Sequence, residues 1–68
     1  MFLMLTDTQG REFAVNMINV VKMQEFEGPD GLYTLLWSNA PSGDGVFSMH
    51  ASERLQRIMQ LIQIREGA

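Results

Sequence analysis

Few side chains in this sequence stand at the spacings that enzymes use. His50 lies between Ser48 and Ser52, but a nucleophile needs a base that a third group holds at hydrogen-bond distance. No Gly-x-Ser-x-Gly turn accompanies the serines. We therefore interpret His50 as a residue of a strand-to-helix junction, where it caps the helix or contacts solvent.

The carboxylates also have structural explanations. Asp7, Asp30 and Asp44 lie in turn-forming stretches, and the Asp-x-Asp-x-Asp pattern of a calcium loop is missing. Glu25 and Glu27 are predicted to project from one side of a strand, which we interpret as a solvated strand end that blunts a sheet edge. With no cysteine and one histidine, a zinc site is not expected. We predict a protein that is not an enzyme and has no cofactor, metal or small-molecule substrate.

The aromatic residues of one apolar stretch are better candidates for a binding role. Residues 31–38 read Gly-Leu-Tyr-Thr-Leu-Leu-Trp-Ser, and alternation along a strand places Tyr33, Leu35 and Trp37 on one face. The other face is also largely apolar, whereas a strand with one solvated face alternates apolar and polar residues. Stacking of nucleic acid bases on these rings requires flanking basic residues, and Lys22 is the only lysine. We therefore predict that both faces are covered by protein.

The length of the chain limits how that strand is covered. A chain of 68 residues buries only about 60% of its unfolded surface, and small scaffolds usually need disulfides, a metal or oligomerisation. Because cysteine is missing, good packing or a partner chain remains. Six methionines suit irregular interfaces. The interface candidates are Tyr33, Leu35, Trp37, Met23 and Leu61.

Charge and hydropathy restrict partners and location. The net charge is −3 with five Lys and Arg residues, so we predict that nucleic acid is not a partner unless Arg54, Arg57 and Arg65 gather on one helix face. No apolar run reaches the ~20 residues of a membrane span, and the first residues are too short a run for a secretory signal. These features predict a cytoplasmic protein without a membrane role.

Five strands and one helix are predicted to position these residues. The strands are expected at about residues 2–6, 11–15, 20–27, 32–38 and 46–49, and the helix at about residues 52–65. Leu55, Ile58, Met59 and Ile62 form the apolar stripe of the helix. We predict one α+β domain, a small antiparallel sheet of about five strands followed by a C-terminal amphipathic helix.

One helix covers only one face of such a sheet, which leads to three hypotheses about function. The first is a non-enzymatic interaction or assembly module that acts through the face of Tyr33, Leu35 and Trp37 and self-associates. The second is a small nucleic-acid-binding or transcription-linked regulator that uses the helix arginines. The third is a phage or mobile-element inhibitor that blocks a host protein through its acidic surface.

Several short motifs follow one another in an order typical of one family. They are Leu3-Met4-Leu5-Thr6, Gly10-Arg11-Glu12-Phe13, Val15-Asn16, Ile18, Val21, Thr34-Leu35-Leu36 and Val46-Phe47-Ser48. In this order the chain resembles the FlbD-like family of small bacterial proteins associated with flagellar gene clusters. The resemblance implies a fold and a gene association, and no chemistry. The sequence departs from the family at His50-Ala51, where the family has Glu-Ser, so Ser52 is the nearest hydroxyl for a helix cap, and its loop at 39–45 is longer.

Overall fold

The structure, a computed structural model, describes residues 1–40 and 44–67 of the chain. Its elements are β1 (Phe2–Thr6), β2 (Glu12–Asn16), a 3-10 turn (Met17–Asn19), β3 (Val20–Gly28), β4 (Gly31–Asn39), β5 (Val46–Ala51) and α1 (Leu55–Glu66). Across these residues, five strands in antiparallel pairs and one C-terminal helix confirm the predicted α+β class. No helix in the described part of the chain has the length and apolar character needed to cross a membrane.

The strands of the described residues form two sheets, so the prediction of a single five-stranded sheet is wrong. β1 pairs with β2, and β3, β4 and β5 form a separate sheet in that order. The chain turns between the sheets where the Asn16 side chain accepts a hydrogen bond of 3.2 Å from the backbone N–H of Ile18. β3 then begins with a pairing irregularity between Val20 and Lys22. The turn and this irregularity redirect the chain, so β3 pairs with β4 and not with β2.

β4 lies in the middle of the three-stranded sheet, as its apolar sequence indicates. A two-residue turn at Pro29 and Asp30 joins it to β3, with Gly28 paired to Gly31. Gly31 has a φ of +116°, a conformation in which a side chain would be strained. The short turn fixes the register between β3 and β4, which decides the neighbours of each β4 side chain.

One core lies between the two sheets and the helix. Its buried apolar side chains are Leu3, Leu5, Val15, Leu36, Ala51 and Ile58. Two polar residues on the same face of β4 are also buried, and both have partners. The Thr34 hydroxyl donates to the Glu53 carbonyl at 2.7 Å, and the Ser38 hydroxyl donates to the Asn19 carbonyl at 3.2 Å. The face of β4 that carries Thr34, Leu36 and Ser38 is therefore the core face.

The helix begins at Leu55, later than the predicted start at residue 52. Ser52 does not cap it, because the Ser52 N–H and hydroxyl both donate to the Thr6 carbonyl, at 2.7 and 3.1 Å. The Thr6 N–H in turn donates to the Glu53 carboxylate at 2.9 Å. A carboxylate from β3 occupies the capping position instead, since the Leu55 N–H donates to Glu25 at 3.2 Å.

Candidate interaction surface

The face of the three-stranded sheet opposite the core carries Tyr33, Leu35 and Trp37. Strand pairing brings Phe26 of β3 beside Tyr33, and His50 of β5 beside Leu35. We call this surface the open face. Its members are Lys22, Gln24, Phe26, Tyr33, Leu35, Trp37, Ser48 and His50.

Three rings on the open face stand side by side across the three strands. The ring centroids of Phe26 and Tyr33 are 6.0 Å apart at an interplanar angle of 25°, and those of Tyr33 and His50 are 5.2 Å apart at 30°. Neighbouring strands lie about 4.8 Å apart, so each ring rises from its own strand and stacks on the next. We call Phe26, Tyr33 and His50 the aromatic row.

Trp37 extends the aromatic row toward the other end of the sheet. Its ring lies edge-on to Phe26, with centroids 6.4 Å apart and an interplanar angle of 65°. The Lys22 ammonium lies 4.7 Å from the centroid of the Trp37 ring, a distance at which the cation is attracted to the ring quadrupole. Two nitrogen bases, Lys22 and His50, thus flank the aromatic side chains.

The position of the Tyr33 ring depends on a glycine in β3. A Cβ atom added at Gly28 would lie 3.0 Å from Cε1 of Tyr33, which is tighter than nine in ten such contacts in proteins, so the ring would have to shift. A shallow cavity of ≈ 330 Å³ lies at this end of the face, and its lining includes Thr8, Asp30, Tyr33, His50 and Ser52. Tyr33 is therefore held by Gly28 and by its two ring neighbours at the rim of this cavity.

The aromatic side chains of the open face contact one another. Phe26, Tyr33, Leu35 and Trp37 are half-buried, although none of them is among the apolar side chains that pack on the core. Phe26 and His50 stack on the two sides of Tyr33, and Trp37 contacts Phe26 edge-on. The row is consequently organised before any partner binds.

The open face differs in charge from the molecule as a whole. The net charge of the chain is −3, yet none of the eight members of the open face is a carboxylate. Glu25 and Glu27 of β3 pair with Thr34 and Leu32 of β4 and so lie on the opposite face. The open face is therefore an apolar, weakly cationic surface on an acidic protein.

Two of the five predicted interface residues lie elsewhere in the structure. Met23 and Leu61 are half-buried and pack against the core cluster, so they are not on the surface that Tyr33, Leu35 and Trp37 share. Conversely, the sequence did not single out Phe26 or His50 as members of that surface. The two-residue turn between β3 and β4 was the signal for Phe26, because it sets the register that places this ring beside Tyr33.

The helix arginines make contacts within the chain. Nε and Nη2 of Arg54 donate to the Glu25 carboxylate at 3.1 and 3.4 Å, and Nη2 of Arg65 donates to the Phe2 carbonyl at 3.0 Å. Arg57 is exposed. Two of the three candidates for phosphate contacts are thus engaged in holding strands to the helix.

Glu25 and Asp7 accept hydrogen bonds that stabilise the local structure. The hydrogen bonds from Arg54 and from the Leu55 N–H hold the pKa of Glu25 below its ordinary value. The backbone N–H of Arg11 is the largest cause of the lowered pKa of Asp7, whose carboxylate also accepts the Gln9 N–H at 2.9 Å. The described residues contain no group of three side chains able to hold a metal ion.

Comparison of the chain with protein-family models, with curated proteins and with solved structures finds no match. The resemblance to FlbD-like proteins therefore stays a prediction.

Proposed function

We propose that the protein is a non-enzymatic interaction module that binds another protein through the open face. The observation that carries the proposal is the aromatic row with Trp37, a set of mutually contacting rings on the sheet face opposite the core. An ordered apolar surface of this kind is typical of sites that bury a partner.

The residue types on the open face are those that dominate binding energy in protein interfaces. Tyr and Trp contribute large contact areas and lose few rotatable bonds on binding. Stacking of Tyr33 on Phe26 and His50 lowers the entropy cost of binding further, because a side chain that is already held loses less freedom when a partner binds. The polar side chains of Gln24 and Ser48 are available for hydrogen bonds at the edge of the apolar area.

The charges of the open face indicate the chemistry of the partner. The Lys22 ammonium is complemented by a carboxylate, the His50 imidazole can donate a hydrogen bond to one, and the face itself contains none. Two copies packed face to face would bring two Lys22 ammonium groups onto one apolar surface without a counter-charge, which disfavours this form of self-association. We therefore propose a partner segment in which apolar side chains are accompanied by Asp or Glu.

A displayed library of random peptides tests this proposal. We expect the selected peptides to combine apolar residues with carboxylates and to bind Trp37→Ala and Tyr33→Ala at least about tenfold more weakly than the natural protein, since such a loss corresponds to the truncation of one central aromatic side chain. Ile64→Ala, an exposed apolar substitution on the helix, is the matched control and should bind equally well.

Circular dichroism of each variant separates a loss of binding from a loss of fold. The proposal is wrong if the selected peptides bind folded Trp37→Ala and the natural protein with the same affinity. It is equally wrong if selection against the folded protein yields no binding peptide.

A further inference from the structure

β5 forms one edge of the three-stranded sheet, and its outer side has no partner strand within residues 1–40 and 44–67. Its sequence, Val-Phe-Ser-Met-His-Ala, contains no Lys, Arg, Asp, Glu, Pro or Gly. Soluble proteins usually protect an edge with charges, proline or a bulge. The other edge, β3, has such protection in Lys22, Glu25, Glu27 and its pairing irregularity. β5 is thus the unprotected edge of this sheet from Val46 to His50, and beyond it the Ser52 N–H on the same side is bonded to Thr6 of β1.

The hydrogen-bonding groups on the outer side of β5 can be assigned from the turns at both ends of the sheet. Backbone groups of alternate residues point to the same side of a strand. Gly31 is paired with Gly28 across a two-residue turn, so odd-numbered residues of β4 bond β3 and even-numbered ones bond β5. Beyond β5, the Ser52 N–H bonds Thr6 and not β4. The N–H and C=O groups of Val46, Ser48 and His50 therefore point outward.

We propose that a second copy of the chain adds its own β5 to this edge, antiparallel and about a twofold axis at Ser48. Ser48 then lies opposite Ser48 of the second copy, and Val46 lies opposite His50 of the second copy. The three outward-pointing residues of each copy form about six backbone hydrogen bonds. The product is one continuous sheet of six strands.

This register suits a second copy because every side chain meets a compatible one. Phe47, which is 43% exposed, lies opposite Met49 of the second copy on the core side of the sheet. Val46, which is 54% exposed, is covered on the other side. β5 contains no carboxylate and no ammonium group. Although each chain has a net charge of −3, the two paired β5 strands therefore bring no like-charged side chains of β5 into contact. Cross-strand apolar pairs of this type stabilise sheets.

Pairing of two chains through β5 goes beyond the proposed function and affects how a partner would bind the open face. A twofold axis perpendicular to the sheet leaves both open faces on the same side. The pair then presents two aromatic rows on one surface, and a partner with two suitable segments binds both rows with the gain in apparent affinity that linkage provides.

Molar mass and crosslinking at a single introduced thiol test the inference. Because the chain has no cysteine, Ser48→Cys carries one thiol, and a hydrogen-bonded antiparallel pair has its Cα atoms about 5.5 Å apart, within the range that a disulfide spans. We expect light scattering to give twice the chain mass of 7.7 kDa at micromolar concentration. We also expect Ser48→Cys to form a covalent dimer much faster than Gln60→Cys, an exposed helix position.

Ser48→Pro removes an outward N–H while leaving the bonds to β4 intact, and it is expected to lower the mass to that of one chain. The inference is overturned if the natural chain remains monomeric. It is also overturned if Ser48→Cys crosslinks no faster than Gln60→Cys. If Trp37→Ala becomes monomeric while folded Ser48→Pro stays dimeric, copies associate through the open face and the edge assignment is wrong. Peptide binding is measured separately, so a failure of the proposed function does not imitate any of these results.

Discussion

At the scale of single residues, Glu25 shows how a carboxylate acquires a role that its neighbours in sequence do not indicate. Its side chain accepts hydrogen bonds from Arg54 and from the backbone N–H of Leu55. The first N–H groups of a helix lack partners within it, and a negative charge is favoured there. A residue of β3 thus does what a capping hydroxyl before the helix usually does.

We predict that Glu25→Gln makes stability less dependent on pH under acidic conditions. The pKa of Glu25 is lower in the folded protein than its ordinary value of 4.5, so the folded state binds this proton more weakly than the unfolded chain. The stabilisation is fully present above pH 4.5 and is lost as the pH falls through the folded value. Thermal unfolding of both proteins between neutral pH and pH 3 measures the difference.

Asp7 contributes to the remaining acid sensitivity, because its pKa is also lowered. Glu27→Gln is the matched control. Glu27 lies two residues further along the same strand, but the carboxylate that accepts the Leu55 N–H is that of Glu25. If the midpoint of Glu25→Gln falls with acid as steeply as that of the natural protein, the carboxylate does not stabilise the helix.

At the scale of elements, α1 packs on the core through one side. Ile58 is 0% exposed, whereas Ile64 on the same helix is 62% exposed. The predicted stripe identified Ile58 and Ile62 as contacting residues, whereas its member Met59 is 43% exposed and Leu61, outside the stripe, packs on the core. The start of the helix was predicted too early, since Ser52 bonds Thr6 of β1 and is drawn out of the first turn.

We predict that Ile58→Ala lowers the free energy of unfolding by about 2–5 kcal/mol, because it removes buried methyl groups and leaves a cavity. Ile64→Ala removes the same atoms from an exposed position of the same helix, so we expect it to change the free energy of unfolding by about 0.5 kcal/mol or less. Urea unfolding followed by circular dichroism measures both. Equal losses in the two variants would contradict the packing of α1 described above.

At the scale of the whole molecule, two sheets and one helix bury their apolar side chains in a single cluster. This cluster includes Leu5 of the hairpin that β1 and β2 form, Leu36 of β4 and Ile58 of α1. The hairpin is joined to the junction before α1 by the bonds between Thr6, Ser52 and Glu53. Neither sheet has a core of its own, so they are expected to unfold together.

We predict one cooperative unfolding transition. The fluorescence of Trp37, which reports the three-stranded sheet, and the far-ultraviolet circular dichroism, which reports all strands and the helix, should give the same midpoint in urea. Leu5→Ala, a substitution in the hairpin, should shift both midpoints equally and by an amount equivalent to about 2–5 kcal/mol. Trp37 fluorescence that keeps its midpoint in Leu5→Ala would show that the hairpin and the three-stranded sheet unfold independently.

Local patterns in the sequence predicted the strands and the helix. Alternation in β4, the helical stripe of α1 and the turn at Pro29 and Asp30 are local patterns, and they depend on backbone geometry within a few residues. They sufficed to place Tyr33, Leu35 and Trp37 on one face of a middle strand. They did not show that the hairpin stands apart from the other three strands, because the redirection of the chain after Asn16 depends on how the hairpin packs on the core.

Contacts between residues that are distant in sequence became evident in the folded structure alone. His50 stacks on Tyr33, and Glu25 bonds a helix that begins 30 residues later in the chain. Such contacts depend on strand order and register between segments that are far apart in sequence, and no local period encodes them. The apolar strand was visible in the sequence, whereas its covering by Phe26 and His50 required the assembled sheet.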